Sequence, residues 1–131
     1  MYLLDTNICI FLKNEKPKYV LDRLHQVITQ KIYISSITVA ELYFGVFNSQ
    51  NIEKNYISLI KFLAPFTILD FDDEDAKEFG KIRSRLKKEG KLIGPYDMQI
   101  AAQAIAKKLI LVTNNINEFN RIEGMKIEDW K

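Results

Sequence analysis

Along the whole chain, short β-rich apolar runs alternate with longer stretches of helical periodicity, and this alternation restricts the fold more than any other property of the sequence. Strands that recur after intervening helices make βαβ units, and βαβ units make parallel sheets. The pattern predicts strands at Tyr2–Leu4, Ile32–Ile34, Thr67–Leu69 and Leu109–Val112, with a last one near Met125–Ile127. Helical patterns fill the intervals at Thr6–Leu12, Lys18–Thr29, Ser36–Phe47, Asn51–Leu63, Asp73–Glu89 and Pro95–Lys107. Pro17, Pro65 and Pro95 fall at turns or helix starts, and no repeat, low-complexity tract or linker interrupts the series. Residues 1–131 therefore read as one α/β domain, a mostly parallel central sheet flanked by helices on both faces.

Composition narrows the chemistry. With 47% hydrophobic residues in 131, a core can form without disulfides or a structural metal. A single cysteine, Cys9, and a single histidine, His25, exclude Cys/His zinc cages, dithiol redox motifs and catalysis by paired histidines. Cys9 lies in the apolar run Ile8-Cys9-Ile10-Phe11 and reads as core, while His25 flanks the apolar stripe of its helix. No Gly-rich phosphate loop is present. The formal charge of +2 argues by itself for neither nucleic acid nor membrane, and no apolar stretch approaches the ~20 residues of a bilayer span. Met1–Leu12 is broken by Asp5 and Asn7 and lacks a basic leader, so a cytoplasmic location is expected.

In open parallel sheets, ligands bind outside the carboxyl ends of the strands. Asp5, Ser35-Ser36 and Thr113-Asn114-Asn115 follow the first, second and fourth strands, which gathers polar groups at one edge. Asp5 suits a helix N-cap, but its strand-end position favours a functional role. Glu41 stands in a helix that is apolar almost all round; at about 3.6 residues per turn it shares one strip with Thr38 and Gly45, a notch on a helix expected to be otherwise buried. Asp97 follows Gly94 and Pro95 and gains from the helix dipole, while Ala101 and Ala104 on its side leave room for a close neighbour. Glu118 can belong to the site, or it can close a capping box with Asn115. The acidic run Asp70–Asp75 is expected to supply N-terminal charge to the next helix.

Carboxylates converging from separate segments repel one another unless a cation neutralises them, and oxygen ligands alone suit Mg²⁺ or Mn²⁺. Such a metal activates water for phosphodiester hydrolysis. The concentrated positive charge, Lys77, Lys81, Arg83, Arg85, Lys87, Lys88 and Lys91, runs up to the Asp97 segment. Lys81, Arg83, Arg85, Lys87 and Lys88 are thereby candidates for contacts with a nucleic-acid backbone.

The order and spacing of Leu3-Leu4-Asp5-Thr6-Asn7, Ile34-Ser35-Ser36 with Ala40-Glu41-Leu42, Ile93-Gly94-Pro95-Tyr96-Asp97 with Ile100-Ala101-Ala102, and Leu111-Val112-Thr113-Asn114-Asn115 with Glu118-Phe119 resemble the PIN-domain family. The likeness is to the VapC-like ribonuclease toxins of bacterial toxin–antitoxin pairs and spans the chain. It implies a three-layer sandwich with an acidic Mg²⁺ or Mn²⁺ site that cleaves RNA, structured RNA such as tRNA being a common target. Asp5, Glu41 and Asp97 match the family's main acids. Thr6, Asn7 and Thr113 match polar neighbours of the site. Asn115 stands where many members carry aspartate, and Glu118 matches an acid of part of the family that can substitute. The resemblance also implies homodimers and inhibition by a VapB-like antitoxin. Two other readings remain open: a receiver-like module, which lacks here the adjacent acids and late-strand lysine it normally needs, and an inactive RNA-binding relative.

Overall fold

The computed structural model describes Met1–Trp130. The sheet is built from strands too short to be stable alone: β1 (Tyr2–Leu4), β2 (Ile32–Ser35), β3 (Thr67–Leu69), β4 (Ile110–Val112) and β5 (Lys126–Glu128). They pair in the order β3-β2-β1-β4-β5, every pairing parallel. A parallel sheet needs cover on both faces, and alternation along β1 supplies apolar groups to each. Tyr2 and Leu4 enter one buried cluster with Ile34 and Val112; Leu3 enters the other with Leu111.

The first cluster is closed by α1 (Thr6–Lys13), α2 (Lys18–Val27), α3 (Ser36–Phe47) and α4 (Ile52–Leu63), through Ile8, Leu24, Leu42 and Leu59. Cys9 is buried there, as its apolar setting predicts, and Trp130 packs edge-on against Tyr2. The second is closed by α5 (Asp73–Lys88), α6 (Pro95–Ala106) and the short α7 (Ile116–Phe119). Ala101 and Ala104 are buried in it with Ile82 and Leu86 of α5, which accounts for the small residues on α6.

Acidic residues 72–75 do cap α5. Asp72 and Asp75 form a reciprocal capping box, and Lys107 at the end of α6 reaches Asp72 at 2.6 Å. Gln103 adds a second tie, donating from Nε2 to the Leu69 carbonyl at 3.1 Å. One expectation fails: α3 is not buried all round. Only Thr38, Leu42 and Val46 are buried, while Phe44 is 70% and Phe47 58% exposed. Tyr56 of α4 approaches Phe47 at 6.2 Å between ring centroids, whereas the Phe44 ring stays largely open to solvent.

Candidate active site

The chain runs from β1 outward through β2 to β3, then returns to place β4 on the other side of β1. The reversal leaves a crevice at the carboxyl ends of β1 and β4, where such folds bind ligands. Leu4 pairs with both Ile34 and Val112, so the next residues, Asp5, Ser35 and Thr113, stand in one row at the edge.

Asp5 is buried and does cap α1: its Oδ1 accepts from the Ile8 N–H at 2.9 Å. Its other oxygen accepts from the Thr113 hydroxyl, which itself accepts from the Asn115 N–H at 2.9 Å. The helix cap therefore takes one oxygen of Asp5 and Thr113 the other. Burial pushes the Asp5 carboxyl up to about 6, against the lowering effect of the Thr113 and Ile8 hydrogen bonds, and the Glu41 charge adds to the rise. Asn7 contributes a backbone N–H facing Asp5, while its side chain is exposed.

Glu41 is half-buried on α3, and Thr6 of α1 donates to its Oε1 at 2.9 Å. With its one hydroxyl proton given to Glu41, Thr6 accepts from Thr38 at 3.1 Å. The polar strip read from the sequence is thus a hydrogen-bonded chain, Thr38 to Thr6 to Glu41, that orients the carboxylate.

Asp97, in the first turn of α6, is half-buried with Glu118 of α7 close enough to act on its carboxyl. Burial raises its carboxyl to about 6, followed by the Glu118 hydrogen bond and the charges of Glu118, Asp5 and Glu41. The capping-box alternative for Glu118 fails: Asn115 makes no side-chain cap, and its N–H is taken by Thr113. Asp5, Glu41 and Glu118, from three other segments, are thus near enough for their charges to raise Asp97. No set of three or more His, Cys, Asp or Glu side chains among the described residues closes into a ready-made metal cage. An open all-oxygen arrangement of this kind suits a hard cation that keeps part of its water shell.

Sequence reasoning missed the rim. Two cavities share Glu41 as a wall: one of about 450 Å³ lined by Ile37, Ala40, Phe44 and Tyr96, and one of about 360 Å³ whose lining includes Thr6, Lys13, Asn14 and Gly45. Apolar periodicity assigned Phe44 to the core, and only the missing cover on α3 reveals otherwise. Of the basic row on α5, Lys81, Arg83, Lys87 and Lys88 are exposed. Arg85 differs: it is half-buried, with Glu89 at 3.8 Å and Glu123 at 3.7 Å. No helix among the described residues is long and apolar enough to cross a membrane.

The PIN domain model matches residues 2–125. The chain is 45% identical to Ribonuclease VapC2 of Haemophilus influenzae over 129 residues, covering 98% of this chain and 97% of that one. It is 41% identical to the tRNA(fMet)-specific endonuclease VapC of Salmonella typhimurium, with the same coverage. Among solved structures it matches VapBC2 from Rickettsia felis, bound to a DNA fragment from their promoter, with TM-score 0.93 and 39% identity, over 99% of this chain and 98% of the matched one. With fold, strand-end acids and full-length similarity in agreement, the chain belongs to the PIN-domain family, among its VapC ribonucleases.

Proposed function

We propose that residues 1–131 act as a unit, a metal-dependent endoribonuclease toxin that hydrolyses RNA phosphodiester bonds in structured RNA such as tRNA. A VapB-like antitoxin restrains it, and it works as a homodimer in the cytoplasm. The observation that carries this reading is the grouping of four carboxylates at one sheet edge, with the Asp97 carboxyl raised first by burial and then by the other three. The VapC relatives support the substrate class, and the VapBC complexes among its structural neighbours support the partner.

Asp5, Glu41, Asp97 and Glu118 would hold Mg²⁺ or Mn²⁺, the hard cations suited to oxygen ligands and substrate phosphate. Bound there, the cation supplies activation of water and stabilisation of the attacking and leaving oxygens. The protein's own part is positioning. Thr113 and the Ile8 N–H fix the two oxygens of Asp5, and Thr6 fixes Glu41. Attack by water needs no covalent enzyme intermediate, consistent with buried Cys9 and exposed His25 taking no part. The direct test is cleavage of tRNA by the purified protein with Mg²⁺ or Mn²⁺ and with EDTA; equal cutting in both would sink the metal-dependent reading.

Asn115 can offer a metal only a neutral carbonyl oxygen, so the fourth charge falls to Glu118. Glu118→Gln should raise the metal concentration for half-maximal activity by about 10-fold or more, within the range for supporting ligands. Asn115→Asp should partly rescue it, and titration of both single variants and the double variant measures the compensation as a coupling. An unchanged titration for Glu118→Gln would leave the site with three acids.

Phosphate contacts position a strand without selecting its sequence. Replacing Arg83, Lys87 and Lys88 together should weaken RNA binding and flatten its salt dependence, with cleavage sites unchanged. Arg85 is left out because its ion pairs with Glu89 and Glu123 make it part of the fold. A salt slope equal to wild type would return α5 to a merely solvated surface.

A further inference from the structure

We infer that the two cavities on either side of Glu41 are successive subsites for one RNA strand: Phe44 and Tyr96 clamp an unstacked base, and Lys13 with Asn14 receives the neighbouring phosphate. This rests on the nuclease reading and specifies how the strand crosses the site.

The two sides of Glu41 differ in chemistry. On one, the rings of Phe44 and Tyr96 are 70% and 56% exposed, yet both line the same cavity of about 450 Å³ with Ile37, Ala40 and Glu41. Tyr96 directly precedes Asp97, and Phe44 lies one helical turn beyond Glu41, so each ring is tied to a carboxylate of the acidic site. Neither ring stacks on another aromatic among the described residues, and a base offers each a π face. Such stacking is the usual way of gripping single strands without fixed sequence.

The other side is polar. Lys13, Asn14, Thr6 and Asn55 line the cavity of about 360 Å³. Lys13 brings positive charge to the last turn of α1 beside an acidic cleft that would otherwise repel a phosphate. Gly45 forms part of this wall, and a Cβ built there meets nothing within 4 Å. The space over Gly45 is thus open, and a side chain as long as leucine there would enter the passage. Because Glu41 walls both spaces, a strand with its base between the rings and its phosphate at Lys13 passes the acidic site in between.

The test is steady-state cleavage of tRNA by wild type, Phe44→Ala, Tyr96→Ala, Tyr96→Phe, Lys13→Ala and Gly45→Leu. Each alanine at a ring should raise KM by roughly 5- to 150-fold, the loss expected from one base–aromatic stack. Tyr96→Phe, which keeps the ring, should stay near wild type. Lys13→Ala should flatten the salt dependence by about one phosphate contact. Gly45→Leu should raise KM while leaving thermal stability level or higher. A second readout separates stacking from shape: a single-stranded RNA carrying 2-aminopurine, bound to Asp5→Asn protein, should be quenched, with fluorescence recovered when Phe44→Ala is added.

If wild type cuts no RNA, the nuclease reading fails and this subsite reading falls with it. If wild type cuts and the ring variants match it in KM and in quenching, the clamp is overturned while the nuclease reading stands. Ring variants that cut normally but no longer bind a VapB-like antitoxin would assign the aromatic rim to the protein partner and overturn the base clamp.

Discussion

Asp5→Asn, Glu41→Gln and Asp97→Asn should each lower RNA cleavage on the order of 100-fold or more, since each removes a charge from the set that would hold a catalytic cation. Size is preserved in every case, so the loss tests charge rather than packing. Asp5→Asn is the most informative, because asparagine caps helices as well as aspartate does and can still accept from the Ile8 N–H. Its amide nitrogen cannot accept from Thr113, which isolates the second oxygen. Folded Asp5→Asn protein that cleaves tRNA at the wild-type rate would reduce Asp5 to a helix cap and remove it from the site. Glu41→Gln keeps an oxygen for Thr6 to donate to, so a loss there is likewise one of charge. These losses should not add, because groups holding one cation act as a unit.

Local chemistry made much of this legible in the sequence. The strands at Tyr2–Leu4 and Thr67–Leu69 and the helix at Ser36–Phe47 stand where periodicity places them. The helices read to Thr29 and Glu89 end earlier, at Val27 and Lys88, since the end of a helix depends on capping as well as on apolar spacing. The strand order was not legible: strands of three or four residues carry too few side chains to specify their neighbours. Within the site, strand-end position alone marks Asp5 and Thr113. The pairing of Asp97 with Glu118 depends on how the start of α6 faces α7, which packing far from either residue decides. The exposure of Phe44 was invisible for the complementary reason, that an apolar residue on an apolar helix reads as core whether or not another element covers it.

Removing a carboxyl from this cluster should also change stability, in the direction opposite to activity. The Asp97 carboxyl is raised to about 6 from an ordinary value of 3.8, so the folded protein holds that proton more tightly than the unfolded chain. Stability from this source is complete below about pH 3.8 and is lost as pH rises through 6. At pH 7 without metal, the wild type therefore carries uncompensated repulsion among Asp97, Glu118, Asp5 and Glu41. Asp97→Asn relieves it, because the amide can donate to the Glu118 carboxylate with no proton taken up. Solvent screens part of the repulsion at half-buried Asp97, which leaves a gain of about 1–2 kcal/mol at pH 7. Thermal unfolding of both proteins in EDTA from pH 4 to pH 7.5 should show nearly equal midpoints at the acid end and a widening advantage for Asp97→Asn above pH 5. Taking the difference cancels contributions common to both proteins, such as the raised carboxyl of buried Asp75. Saturating Mg²⁺ or Mn²⁺ at pH 7 should then close the gap by stabilising the wild type alone, by about 2.7 kcal/mol at a hundred times the dissociation constant. A variant that is less stable than wild type at pH 7 and follows the same pH curve would mean that Asp97 serves the α6 helix dipole, and that the four acids do not share one cation.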